Sequence, residues 1–134
     1  MDRNVYLKQH KEIMEKINAI ENLVGKNDLE QTSDEIASAI STLAGVLNIH
    51  LGIEDKFMYP KLANSEDENV KKLALRYKEQ MGSISDEFTV YKKKYNTKQQ
   101  IMNHQNTIKR ESEKIFTEIK NRIKREEEEL YLYI

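Results

Sequence analysis

Four side chains of types that hold cations fall where this sequence should be building a core: His10, His50, Glu54 and Glu126. The pair His50 and Glu54 is the clearest. Ile36, Ile40, Leu43 and Leu47 lead up to it with the three- and four-residue steps of a packed helix seam. His50 and Glu54 are the next two positions on that seam. An imidazole and a carboxylate one turn apart on a buried face cost free energy unless something pairs with them. A metal ion is one such partner, and a buried hydrogen-bonded pair is the other. His10 sits in the same way on the seam Tyr6, Ile13, Ile17, Ile20, Val24. Arg122 and Glu126 sit on the seam Ile101, Ile108, Ile115, Ile119, Leu130. The chain has no cysteine, so any ion must be taken by nitrogen and oxygen donors.

The elements that must position these residues read as helices. The chain of 134 residues suits one domain over 1–134 with one core, and its one proline and four glycines leave room for few turns. No strand-like alternation or hairpin dipeptide appears. The spacing predicts a first helix over about 5–24 with Gly25 after its end. A second is predicted over about 33–58, opened by a capping box from Thr32 to Glu35 and ended by Pro60. A third is predicted over about 66–95 behind a box from Ser65 to Glu68, and a fourth over about 98–130 behind Thr97 and Gln100. The apolar tail Tyr131–Ile134 is expected to dock on the bundle end. The fold class is therefore all-α, an antiparallel up-down-up-down four-helix bundle.

Antiparallel helices bring the start of the first beside the ends of the second and fourth. His10, His50, Glu54, Arg122 and Glu126 then fall in one layer, with Tyr77 and Met81 at the same depth on the third helix. Two imidazoles and two carboxylates pointing inward form a site for iron, zinc or manganese. His104 lies about 18 residues before Arg122, roughly 27 Å along the helix, and is expected outside the layer.

These residues carry a resemblance. His10 with Ile13 and Ile17 behind it, His50-x-x-x-Glu54 leading to Met58-Tyr59-Pro60, and Glu126-Glu127-x-x-Leu130-Tyr131 resemble the hemerythrin-like, HHE cation-binding family over nearly the whole chain. The resemblance implies a non-haem di-iron centre, with His10, His50, Glu54 and Glu126 in place. It also implies histidines from the third and fourth helices for a second iron. Those positions hold Met81 (or Gln80 or Tyr77) and Arg122, so the second site looks dismantled.

Two arrangements follow from Arg122. In one, a single ion, iron, remains as cofactor for sensing, storage or contact with a small diatomic ligand, and the guanidinium stands in for the second cation. In the other, Arg122 pairs with both Glu54 and Glu126 in a metal-free structural or interaction bundle. Nothing specific to an oxidase or peroxidase is present. The formal charge of −1 gives no reason to expect nucleic acid or an anionic membrane as partner. No apolar stretch is expected to approach the roughly 20 residues of a membrane span. The polar start Met1-Asp2-Arg3-Asn4 lacks a signal peptide's apolar run, and the expected location is cytoplasmic.

Overall fold

The computed structural model describes residues 2–134, and among them every regular element is helical. The helices are α1 (Arg3–Val24), α2 (Leu29–Ile53), α3 (Tyr59–Ala63), α4 (Glu68–Tyr95), α5 (Lys98–Asn103) and α6 (Ile108–Arg125). Wider π-helical turns over Glu54–Met58 and Glu126–Leu130 extend α2 and α6, and a 3-10 turn over Tyr131–Tyr133 ends the chain.

Helix starts follow local capping chemistry, and two differ from expectation. Asp28, not Thr32, caps α2: its carboxylate accepts from the Gln31 N–H at 3.3 Å. Thr32 and Ser33 are already inside the helix and buried, with Thr32 Oγ1 donating back to the Asp28 carbonyl at 3.1 Å. Asp67 caps α4 by accepting from Asn69 N–H at 2.9 Å, while Ser65 Oγ serves the Asp67 N–H just outside. Thr97 caps α5 as expected, accepting from Gln100 N–H at 3.1 Å. The fourth helix is not continuous. It breaks at His104–Thr107, where His104 Nδ1 turns back to the Gln100 carbonyl at 2.8 Å, and Gln105, which the four- and three-residue steps from Ile101 to Ile108 put on the core seam, is exposed.

Pro60 does not end the second helix. A proline in a regular α-helix presses on the carbonyl four residues back and donates no bond. Here the widened turn over Glu54–Met58 precedes it, with Tyr59 N–H reaching back to the Glu54 carbonyl, and the helix resumes as α3. The turn over Glu126–Leu130 repeats this without a proline, with Tyr131 N–H reaching back to the Glu126 carbonyl. Each wide turn opens on a buried glutamate and delivers a buried tyrosine, Tyr59 or Tyr131.

Side-chain contacts set the directions of the neighbours. Early Tyr77 of α4 bonds the Arg125 carbonyl at the end of α6, whereas late Lys94 meets Glu111 near the start of α6. His10 near the start of α1 lies against His50 at the end of α2, with ring centroids 4.7 Å apart. The apolar interior is in two parts. The larger contains Ile13, Ile17, Ile36, Ile40, Tyr95 and Phe116. The smaller contains Tyr6, Met58, Tyr59, Leu62, Tyr77 and Tyr131. A polar layer lies on the same helices between them in sequence.

The stretch Leu29–Ala63 is, by length and composition, long and apolar enough to cross a membrane, contrary to expectation. Its seam residues Ile36, Ile40, Leu43 and Leu47 are buried in the core, and the core helix of a globular bundle meets the same criterion.

Candidate metal centre

The structure brings His10, His50, Glu54 and Glu126 together, each no more than 4 % exposed. One donor atom from each lies within 4.8 Å of the others. Burial follows from the seam, and convergence follows from the chain directions. α1 supplies His10, α2 supplies His50, and the first residue of each wide turn supplies Glu54 or Glu126.

Hydrogen bonds orient the donors. His50 Nδ1 donates to Gln9 Oε1 at 2.8 Å. That bond places the ring proton on Nδ1 and turns the bare Nε2 inward, the tautomer that a metal takes. His50 Nε2 faces Glu54 Oε1 at 3.3 Å, yet neither atom has a hydrogen-bond partner. His10 Nδ1 is the third such atom, 3.6 Å from Glu127 Oε1. Among the described residues these three are the buried side-chain nitrogens and oxygens left without a partner. Each would cost about 1–3 kcal/mol if nothing engaged it.

Burial, with His50 as a smaller cause, holds the His10 imidazole down at about 3, and burial holds His50 at about 4. Both rings are therefore neutral near pH 7, as ligands must be. Burial, then the charge of Glu126, pushes the Glu54 carboxyl well above its usual range. A cation in the layer would reverse that effect. The residues present thus fit an ion with two imidazole and two carboxylate donors.

Arg122 is 3 % exposed and also belongs to this layer. Its Nε donates to Glu126 Oε1 and its Nη1 to Gln80 Oε1, both at 3.3 Å. Nη2 reaches Tyr59 Oη at 3.4 Å and the Tyr77 carbonyl. The guanidinium lies 4.2 Å from the Tyr77 ring centroid. The expected pairing of Arg122 with both carboxylates is half right: it bridges Glu126, and among the described residues it makes no ion pair with Glu54. Glu126 sits one turn along the same helical face, while Glu54 projects from the opposite wide turn and faces His50.

Helix α4 contributes packing and one polar contact. The Tyr77 hydroxyl points away from the layer to Glu129, and only its carbonyl and ring serve Arg122. Met81 is buried and shares a cleft with Leu47, Leu51 and Ile119, as a packing residue does. Gln80 is the polar contact from that helix. His104 lies apart, edge-on to Tyr95.

Sequence reasoning missed Tyr131. Its hydroxyl is 2.9 Å from His10 Nε2, 3.0 Å from Glu54 Oε2 and 3.3 Å from Glu126 Oε2. Burial, then Glu126 and Glu54, push this phenol well above its usual range. The available signal was the parallel between Glu54…Met58-Tyr59 and Glu126…Leu130-Tyr131, which implies that both tyrosines turn inward. Gln9 was missed too, because a surface glutamine beside a core histidine has no distinguishing spacing.

An all-helical bundle with two imidazoles and two carboxylates converging in a buried layer has the makings of a cation-binding bundle. The family model for the hemerythrin HHE cation-binding domain matches residues 2–134, and the chain belongs to that family. No match was found among curated proteins or among solved structures.

Proposed function

We propose that this chain binds a single iron ion through His10, His50, Glu54 and Glu126, with the Arg122 guanidinium taking the place of a second cation. The observation that carries the reading is the set of unpartnered buried atoms. His50 Nε2 and Glu54 Oε1 face each other at 3.3 Å, both as acceptors once Glu54 is ionised. Two facing acceptors in a buried layer repel, and a cation between them removes the repulsion. In this reading α2 with α3, and α5 with α6, count as single rods, so the bundle is four antiparallel rods around the layer.

Once bound, the ion supplies a Lewis-acidic, redox-active centre of the kind used to sense or hold a small diatomic ligand, or to store iron. The protein's own contribution is orientation. Gln9 holds the His50 ring, Arg122 holds Glu126 against Gln80 and Tyr59, and the two apolar clusters limit access by water. Zinc or manganese would satisfy the same donors less selectively.

The competing reading is a metal-free structural bundle, favoured by the Arg122–Glu126 pair. In it a protonated Glu54 would donate to His50 Nε2, but His10 Nδ1 would stay without a partner and Arg122 does not bridge to Glu54. Untagged protein from iron-supplemented cells separates the two. Elemental analysis is expected to give one iron per chain, lost in His50→Ala. Two irons per chain would overturn the single-ion part, and no bound iron, zinc or manganese would leave the metal-free bundle.

A further inference from the structure

The Tyr131 hydroxyl is within 3.3 Å of an atom on three of the four candidate ligands. A phenol has one proton to donate and an oxygen that can also accept, and this one sits at the point where His10, Glu54 and Glu126 converge. The ring is 1 % exposed and is held in place. It stacks on His10, with centroids 5.1 Å apart and planes 18° apart, and packs on Tyr6 at 5.4 Å. The wide turn sets its backbone, because Tyr131 N–H bonds the carbonyl of Glu126 itself.

We propose that Tyr131 Oη is a further ligand of the bound ion, coordinating as phenolate, and that it suits the site to iron(III). The inference rests on the metal-binding reading above and extends its donor set to two nitrogens and three oxygens. The bond formed is between Oη and the ion. The bond broken is O–H, and the proton leaves to buffer. No change of oxidation state is needed when iron is supplied as iron(III).

Charge argues the same way. Arg122 already offsets one of the two carboxylates, so a trivalent ion would leave two uncompensated positive charges in the layer. A phenolate removes one of them. Phenolate is a hard anionic oxygen donor, and tyrosinate serves as a protein ligand to iron elsewhere. Tyr59, the counterpart at the other wide turn, faces the Arg122 guanidinium at 3.4 Å instead.

The test loads metal-depleted protein with ferric citrate and measures iron per chain together with visible absorption and resonance Raman spectra. Wild type is expected to show a phenolate-to-iron(III) charge-transfer band with enhanced tyrosinate ring modes. Tyr131→Phe keeps the ring on His10 and Tyr6. It is expected to retain one iron per chain at roughly tenfold or weaker affinity, with the band gone. Tyr59→Phe is expected to keep the band. One iron per chain without a band in wild type, or a band surviving in Tyr131→Phe, overturns the ligand assignment and leaves the metal-binding reading intact. Failure of wild type to retain iron overturns both.

Discussion

Arg122 is a buried cation with a full set of partners. It bonds Glu126, Gln80, Tyr59 Oη and the Tyr77 carbonyl, and its plane lies over the Tyr77 ring. Removing one member of a buried pair leaves the other charge uncompensated, which typically costs about 3–5 kcal/mol. Arg122→Ala in metal-free protein is therefore expected to lose about 3 kcal/mol or more in urea unfolding. With a metal bound, Glu126 keeps a second cation beside it, and the loss should be smaller. The measurement is a pair of unfolding curves for each protein, with and without metal. A cost below about 0.5 kcal/mol in both states, the size of a surface substitution, would contradict the buried geometry.

At the scale of elements, the two wide turns and the start of α2 differ most from what periodicity suggests. A hydrophobic pattern records which face is buried, but a wide turn inserts a residue without changing which residues are apolar. The start of α2 shows another limit. Thr32 with Glu35 satisfies the capping-box spacing, and Asp28 with Gln31 has the same spacing. The choice went to the earlier site, which places Thr32 and Ser33 on the buried face. Asp28→Ala is accordingly expected to cost about 1 kcal/mol, the usual value of a lost N-cap. Thr32→Ser keeps the hydroxyl bond to the Asp28 carbonyl and loses one methyl, so it should behave as a small core truncation. Urea midpoints check both. No effect from Asp28→Ala would return the cap to Thr32.

For the whole molecule, the buried layer ties stability to pH. His10 and His50 have folded values of about 3 and 4 against 6.5 for the free side chain. Below pH 6.5 the unfolded chain binds protons that the fold refuses, so their contribution is lost as pH falls. Glu54 has the opposite sign. Its folded value lies well above 4.5, so the fold holds a proton that the unfolded chain gives up, and stability is lost as pH rises toward that folded value. Each group contributes about 1.4 kcal/mol per pH unit within its window. The two histidines thus lose stability as pH falls below 6.5, and Glu54 offsets part of that loss because its contribution falls as pH rises. Added metal should remove the Glu54 contribution, because the ion keeps Glu54 ionised. Urea unfolding from pH 5 to 8 tests this. Stability of the metal-free protein that rises steadily to pH 8 would show Glu54 ionised in the fold without a metal.

The sequence by itself determined the helical class and most of the residues that would be buried, though the seam position Gln105 is exposed. Steps of three and four placed Ile13, Ile36, Ile40, Tyr77, Ile115 and Ile119 in the core, and the same steps placed His10, His50, Glu54, Arg122 and Glu126 beside them. That information is local, because one helix face is defined by spacing within about four residues. What each polar side chain meets is set by residues far away in the chain, and only the tertiary structure decided it. Arg122 chose Glu126 over Glu54, Gln80 joined from α4 and Tyr77 turned its hydroxyl outward. Tyr131, 121 residues from His10, came to the centre of the layer because a wide turn rotated it inward. No spacing rule encodes such meetings. They depend on chain direction and on where a helix gains an extra residue, and both are settled by packing of the whole bundle.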